Sequence, residues 1–430
     1  MKDYLKSITP DSFSGLVFAF EGIKKSVTLI NGPTGCKFYH SAVSDAQTLK
    51  QYEFDPLRFP LEWYFGQPRV PCTYLDSKDY VYGSKDKLQS FMDFIKDSNS
   101  VELICIVNSP GAALIGDDIG NIVRDCGCGA EIITAESPGY SENICSGYEK
   151  GSLKLIEKIA PAEKKQTLPK SVNILGLSVF HKNFKGDKEE LARLLALCGI
   201  TVGCFLCADC TAEEIKNLSQ AELNIVIHPE YGSTAAQHLK KKYGTPYYIC
   251  SGAPVGFEAS ENFISDVCSL LGADCSAFTE ESEKARALAY VHVSRVNSLT
   301  GLPKGVSTAV AGSYSELYSY CRFLIEYFGL MISSAAVTDE ENDIFRSETE
   351  ELLAEYGMED ALRAEISDTG AELVFADGNT IARLKLRKHQ FSGIEIALPG
   401  MGYLDVTEKT HLGLKGALML TELVLNALMF

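Results

Sequence analysis

Short apolar runs closed by turn residues recur along the chain, alternating with stretches whose apolar residues return every three or four positions. Val27–Ile30 is the first such run; Asn31-Gly-Pro-Thr-Gly closes it and delivers Cys36 just beyond a predicted strand. Lys85–Ile95 has helical periodicity, with Val81-Tyr-Gly-Ser before it as a turn and Ser84 as its expected N-cap. Val101–Val107 reads as a buried strand stopped by Asn108-Ser-Pro-Gly. Ile115-Gly-Asp-Asp-Ile-Gly leads into a helix ending near Arg124, and Glu131–Thr134 is the next strand.

After a polar, proline-bearing linker over Ala160–Ser171 the rhythm resumes. Strands are expected at Val172–Leu177, Thr201–Leu206, Leu223–Ile227 and Tyr247–Ile249. Helices fall at Asp187–Cys198, Thr211–Asn217 (capped by Thr211), Ser233–Tyr243 and Ser260–Leu271. A third unit starts near Gly305, with strands at Gly305–Ala311, Met331–Val337, Glu372–Phe375 and Ile394–Leu398. Its helices are Tyr314–Phe328 and the acidic Glu340–Tyr356. Strand–helix alternation of this kind predicts an α/β protein of three Rossmann-like, doubly wound domains with parallel sheets around a central cleft. The expected divisions are 1–165, 170–280 and 300–410, with a carboxyl-terminal helix over 411–430. Cys36, His228 and the Pro399–Tyr403 loop all follow strand ends, so all three are expected to face that cleft.

Composition narrows the function classes. At 430 residues the chain needs more than one core, and 46% hydrophobic with 23% charged residues suits a globular protein. A net charge of −17 with no basic tract argues against nucleic-acid binding, which needs clustered Lys and Arg. The amino terminus lacks an apolar signal core, and the apolar tail Gly413–Phe430 carries Lys415 and Glu422, so neither is expected to engage a membrane. A cytoplasmic location follows. Fourteen cysteines in such a compartment are structural, catalytic or metal-binding thiols rather than a disulfide framework.

Cys36, on a glycine-flanked turn at the ligand-binding edge of a parallel sheet, is either a metal ligand or a small packed side chain. Asp117 and Asp118 read as helix-capping acids. Cys204-x-x-Cys207-x-x-Cys210 has ferredoxin-like spacing, but a strand turns neighbouring thiols to opposite faces and no fourth cysteine follows. Cys126-Gly-Cys128 lacks the second pair a zinc site needs. His228 ends a predicted strand, where it serves a cavity or bonds the local backbone. Neither a Gly-x-Gly-x-x-Gly nor a Walker A sequence is present.

Gly-Pro-Thr-Gly-Cys at 32–36, Pro-Cys-Thr-Tyr-Leu-Asp-Ser-Lys-Asp-Tyr-Val-Tyr-Gly-Ser-Lys-Asp-Lys-Leu at 71–88, Leu-Ile-Gly-Asp-Asp-Ile at 114–119 and Glu-Ser-Pro-Gly-Tyr-Ser at 136–141 occur in that order. Together they resemble the nitrogenase component 1 family, and the likeness extends through Lys242-Tyr-Gly-Thr-Pro to Gly413-Leu-Lys-Gly-Ala-Leu. That family includes the nitrogenase α and β subunits, their cofactor-assembly scaffold, the dark protochlorophyllide reductase subunits and a cyclase that makes a nickel tetrapyrrole coenzyme.

The resemblance implies a subunit of a nitrogenase-like reductase that takes electrons from an ATP-hydrolysing iron protein. Its partner is a paralogous component 1 subunit or a second copy, in a dimer or heterotetramer. An iron–sulfur cluster, 4Fe–4S or P-cluster-like, sits at the subunit interface. Cys36 matches one family cluster cysteine; the other two fall where this chain has Pro10-Asp11-Ser12 and Ser109-Pro110. Asp11 takes the role of a substitute ligand, and Cys72 matches a β-like motif. His228 aligns with the cysteine that anchors the nitrogenase cofactor, and no histidine anchor stands near Tyr403, which implies a substrate other than dinitrogen. Two alternatives accompany this reading: a metal-cofactor assembly or carrier scaffold, and a cluster-free structural partner of an active paralogue.

Overall fold

In a computed structural model, the chain is described over residues 10–36, 70–96, 101–124, 126–136, 142–339, 342–397 and 407–429. Three separate parallel sheets form, in the orders β1-β2-β3, β5-β4-β6-β7 and β11-β10-β8-β9. The first holds β1 (Ser26–Asn31), β2 (Leu103–Asn108) and β3 (Glu131–Glu136) in continuous register from Ser26 opposite Leu103 to Asn31 opposite Asn108. Every residue of β2 is buried, as its unbroken apolar run requires of a central parallel strand. The second sheet comprises β4 (Ser171–Leu175), β5 (Thr201–Phe205), β6 (Leu223–Val226) and β7 (Tyr247–Ile249). The third comprises β8 (Ser307–Gly312), β9 (Met331–Val337), β10 (Leu373–Asp377) and β11 (Ser392–Ala397). The α/β class and the parallel sheets are those the sequence predicts.

The amphipathic helices also stand where periodicity puts them: Lys85–Ile95 and Tyr314–Phe328 begin and end as expected, and Thr211 caps its helix through a capping box with Glu214. The two adjacent acids divide their work. Asp118 accepts the N–H of Asn121 at 3.0 Å as a helix cap should. Asp117 instead reaches across to Ser84, accepting from its hydroxyl at 2.8 Å and from its backbone N–H. Ser84 therefore sits at the predicted cap position without capping its own helix.

Several helices escape the periodicity argument, Ile144–Ile159 among them, and three of them do so for a visible physical reason. Ser12–Glu21 is buried on every side, so no polar face marks its turns. It crosses Ile144–Ile159 at backbone contact: a Cβ on Gly15 would lie 2.0 Å from the carbonyl oxygen of Ile144, and one on Gly147 would lie 1.8 Å from that of Ser12. The 25-residue helix Ser276–Thr300 buries only Phe278, Ser282, Ala285 and Ala289, too small a set to read as an apolar stripe. Gly378–Leu386 opens on Asp377-Gly-Asn, a turn signal in isolation; here the Asp377 side chain caps a helix by accepting the Thr380 N–H at 3.0 Å. The predicted acidic helix at 340–356 is shorter, Arg346–Glu355, because Phe345 before it is left-handed.

Apolar packing joins the sheets into one body. One cluster packs Phe13, Tyr148 and Tyr231 between the first and second sheets, and another packs Leu191, Phe257, Leu317 and Leu420 between the second and third. A buried ion pair, Lys182 to Glu395 at 3.2 Å, ties the second to the third. Asp187 does the same for the carboxyl-terminal segment, accepting from the Thr410 hydroxyl at 2.7 Å and the His411 N–H at 2.9 Å. Among the described residues no helix is long and apolar enough to cross a membrane.

Candidate functional site

Two places concentrate chemistry. The first is the carboxyl edge of the first sheet. Here the segment around Cys72 lies along β1: Ile30 donates to the Pro71 carbonyl at 2.8 Å, Thr73 to Ile30 at 3.0 Å and Leu75 to Gly32 at 2.9 Å. Asn31, at the strand end, donates to Asn108 at 3.0 Å and accepts from the Thr73 hydroxyl at 2.9 Å, locking the three segments together. The turn must pass close to Ser109, since a Cβ on Gly32 would fall 2.6 Å from its Oγ. Cys72 donates its thiol proton to the Gly32 carbonyl at 3.1 Å.

Residues far apart in sequence meet there. The half-buried Cys36 thiol is hydrogen-bonded by the Ser109 hydroxyl and feels the charge of Asp11; burial raises its pKa, Ser109 offsets part of the rise and Asp11 adds to it. Tyr80 is raised by burial and by the neighbouring Cys36 and Cys72 thiols. Asp11, itself buried, caps the first helix by accepting the Ser14 N–H at 3.1 Å. The structure thus gathers Asp11, Cys36, Cys72 and Ser109 at one edge. On the neighbouring segments the apolar side chains of Tyr82, 86% exposed, Leu114, 88% exposed, and Val81 stand out to solvent.

Two thiols and a carboxylate are the donor types an iron–sulfur cluster accepts, but such a cluster normally takes four ligands. Among the described residues no three His, Cys, Asp or Glu side chains are arranged to hold a metal ion. The edge therefore offers part of a ligand set. Cys204, Cys207 and Cys210 are buried in the core between the first and second sheets, where Cys204 and Cys210 touch and Tyr148 hydrogen-bonds Cys207. In that core they are packed side chains.

The second place is a cavity of about 430 Å³ between helix Ile144–Ile159, the start of helix Pro229–Tyr243 and the loop at Asn342–Ile344. Each wall belongs to the unit of a different sheet. Glu149 lines it, held by the Thr234 N–H at 2.8 Å and the Thr234 hydroxyl at 2.5 Å; burial raises its pKa and these bonds oppose the rise. Cys145 donates to the Asp339 carboxylate at 3.7 Å and accepts from Asn342 at 3.8 Å, and burial pushes its thiol well up. Glu230 is 5% exposed; one carboxyl oxygen accepts from Ser315, and the other, Oε2, has no hydrogen-bond partner among the described residues. Burial pushes Glu230 up to about 7, with the charges of Glu316 and Asp339 adding to the rise.

His228 lies two residues before Glu230 but outside this lining. It is 8% exposed and stacks on His181 with ring centroids 4.4 Å apart, next to Phe180 and Tyr231. Burial drives His228 down to about 4, so both rings are neutral at neutral pH; His181 accepts the Ser178 N–H at 2.9 Å. The Pro399–Tyr403 loop lies outside the described residues. Sequence reasoning passed over Cys145, Glu149 and Glu230. Only Pro229-Glu230, a helix start directly behind the strand that ends at His228, could have pointed to one of them.

Three parallel sheets, with thiols at the edge of the first and a polar groove lined by residues from the units of all three, define an α/β protein. The chain belongs to the nitrogenase component 1 type oxidoreductase family, whose model matches residues 12–429. It is 27% identical over 242 residues to the nitrogenase molybdenum-iron protein alpha chain of Methanothermobacter marburgensis, covering 55% of this chain and 50% of that protein. It is 24% identical over 323 residues to a subunit of the light-independent protochlorophyllide reductase of Bradyrhizobium sp. strain ORS 278, covering 72% and 60%. The chain thus spans about half to three-fifths of the length of these curated relatives. Its fold is that of nitrogenase Cp1 solved at pH 6.5, with a TM-score of 0.78 at 17% identity, covering 98% of this chain and 93% of that one.

Proposed function

We propose that this chain is one subunit of a nitrogenase-like reductase, with an iron–sulfur cluster shared across a subunit interface. The observation that carries the reading is the edge of the first sheet. Cys36 and Cys72, with Asp11 beside Cys36, offer an incomplete set of soft and anionic ligands beneath an exposed apolar rim. A paralogous component 1 subunit, or a second copy, completes the ligand set and covers Tyr82 and Leu114. Burial raises the Cys36 thiol, so cluster binding there releases a proton as it becomes a thiolate. When bound, the cluster supplies electron transfer. An ATP-hydrolysing iron protein reduces it, and the substrate, which is not dinitrogen, lies in the cavity lined by Cys145, Glu149 and Glu230.

Anaerobic co-expression with a paralogous component 1 subunit, followed by iron and sulfide quantitation, tests the reading. The complex is expected to hold iron and sulfide that the isolated chain lacks, and to oxidise dithionite-reduced iron protein only with ATP. A complex free of iron would overturn it. Iron retained without any turnover would point instead to a carrier scaffold.

A further inference from the structure

Two touching pairs of thiols lie away from the edge of the first sheet. Cys204 meets Cys210, and the Cys198 thiol donates to the Cys268 sulfur. Their surroundings differ. Cys204, Cys207 and Cys210 are each at most 1% exposed, so no thiol of that group reaches solvent. Cys198 and Cys268 are buried as well, but a third thiol beside them, Cys275, is only half-buried.

Three helix ends bring the second group together. Cys198 closes helix Phe184–Leu197 as its C-cap. Cys268 lies in the last turn of helix Phe257–Leu271, where Gly272 is left-handed at φ 58° and Ala273 donates back to the Cys268 carbonyl at 2.9 Å. After that tight turn Cys275 stands directly before helix Ser276–Thr300. The three thiols are near enough that charge on Cys275 bears on both of the others. Burial pushes Cys198 up to about 12 and also raises Cys268. At Cys268 the hydrogen bond from Cys198 and the charge of Lys170 offset part of the rise, so Cys268 is the readier of the pair to ionise.

We infer that Cys198, Cys268 and Cys275 form a site of two-electron thiol oxidation that reduces hydrogen peroxide: Cys275 meets the oxidant, and the touching pair takes the disulfide. The Cys275 thiolate attacks one peroxide oxygen, the O–O bond breaks and hydroxide leaves, which makes Cys275 a sulfenic acid. The Cys268 thiolate displaces hydroxide from that sulfur and closes a Cys268–Cys275 disulfide. Cys198 then attacks the Cys268 sulfur, and its proton passes to the departing Cys275 thiolate. In sum one hydrogen peroxide and two thiols give one disulfide and two waters, and Cys275 is regenerated. Neither iron nor a partner subunit enters these steps, so they stand apart from the reductase reading.

The test treats the reduced full chain with hydrogen peroxide, alkylates the remaining thiols at timed intervals and maps linked peptides by mass. A Cys198–Cys268 disulfide is expected, reversed by dithiothreitol, while Cys204 and Cys210 stay open to alkylation once the chain is unfolded. In Cys275→Ser, closure is expected to slow by about tenfold or more, because the thiols left are buried and susceptibility follows exposure. In Cys198→Ser, oxidation is expected to stop at Cys268–Cys275. Absence of the Cys198–Cys268 bond in the wild-type chain would overturn the proposal. So would closure of Cys204–Cys210 at an equal or greater rate, or an undiminished rate in Cys275→Ser. The wild-type map stands even if a variant fails to fold.

Discussion

The thiol edge of the first sheet and the carboxyl cavity are both sites of burdened ionisable groups, yet they are built in opposite ways. At the edge, Cys36 is half-buried, the polar groups around it are bonded to one another, and the rim outside is apolar and exposed. In the cavity, Glu230 and Cys145 are buried by three converging units, and one carboxyl oxygen is left unbonded. The edge lies on the surface of one sheet, whereas the groove is walled by residues from all three units and leaves Glu230 Oε2 without a hydrogen-bond partner among the described residues. The first arrangement suits a partner that arrives from outside. The second is a groove between units, open to solvent, with a buried carboxyl behind its wall.

Cys36→Ala is the strongest way to break this contrast. If the edge serves a shared cluster, iron content of the co-purified complex should drop by about tenfold or more, since losing even a hydrogen bond that supports a metal ligand costs about 10–100-fold in affinity. The melting point of the isolated chain should move by no more than about 1 kcal/mol allows. A stability loss with iron unchanged would reduce Cys36 to packing.

Glu149→Ala sharpens the other side. It strips two hydrogen bonds from Thr234 in the wall between the first and second units, and should cost about 1–3 kcal/mol in denaturant unfolding with no effect on iron. A neutral result would mean that the wall does not depend on that carboxylate.

Cys207→Ala separates a packed thiol from a ligand. Its side chain is fully buried beside Tyr148, so about 1 kcal/mol of stability should go while iron stays constant. Loss of iron here would show that the edge is not the cluster site.

The remaining expected effect is a pH dependence. Folding raises Glu230 from the ordinary 4.5 to about 7, so between those values the folded chain binds more protons than the unfolded one, and this group makes stability fall as pH rises. Glu316 and Asp339 from the third unit, and Cys145 from the facing helix, bear on the same carboxyl, and Glu149 lines the same space. Lys150 and Asp343 complete the charged lining among the described residues. Glu230→Gln stays neutral throughout. Its melting point relative to wild type should therefore climb between about pH 5 and pH 8, and a flat difference would refute the assigned shift. The buried His181 and His228 act on the acid side, where stability should fall as pH drops through the ordinary histidine value of 6.5 toward about 4.

Much of the scaffold was legible in the chain because strand runs, turn residues and helical periods are local signals. Asn31-Gly-Pro-Thr-Gly after an apolar run was enough to put Cys36 at a sheet edge, and Thr211 followed by Glu214 was enough to start a helix. What only the tertiary structure decided is which distant residues meet. Ser109 and Asp11 stand beside Cys36 because two parallel strands and a buried helix converge there. Glu230 meets Ser315 across 85 positions, and Cys145 meets Asp339 across 194. No period or spacing encodes such meetings. They follow from how whole units pack, and the depth that raises a carboxyl or leaves an oxygen without a partner exists only once that packing has excluded water.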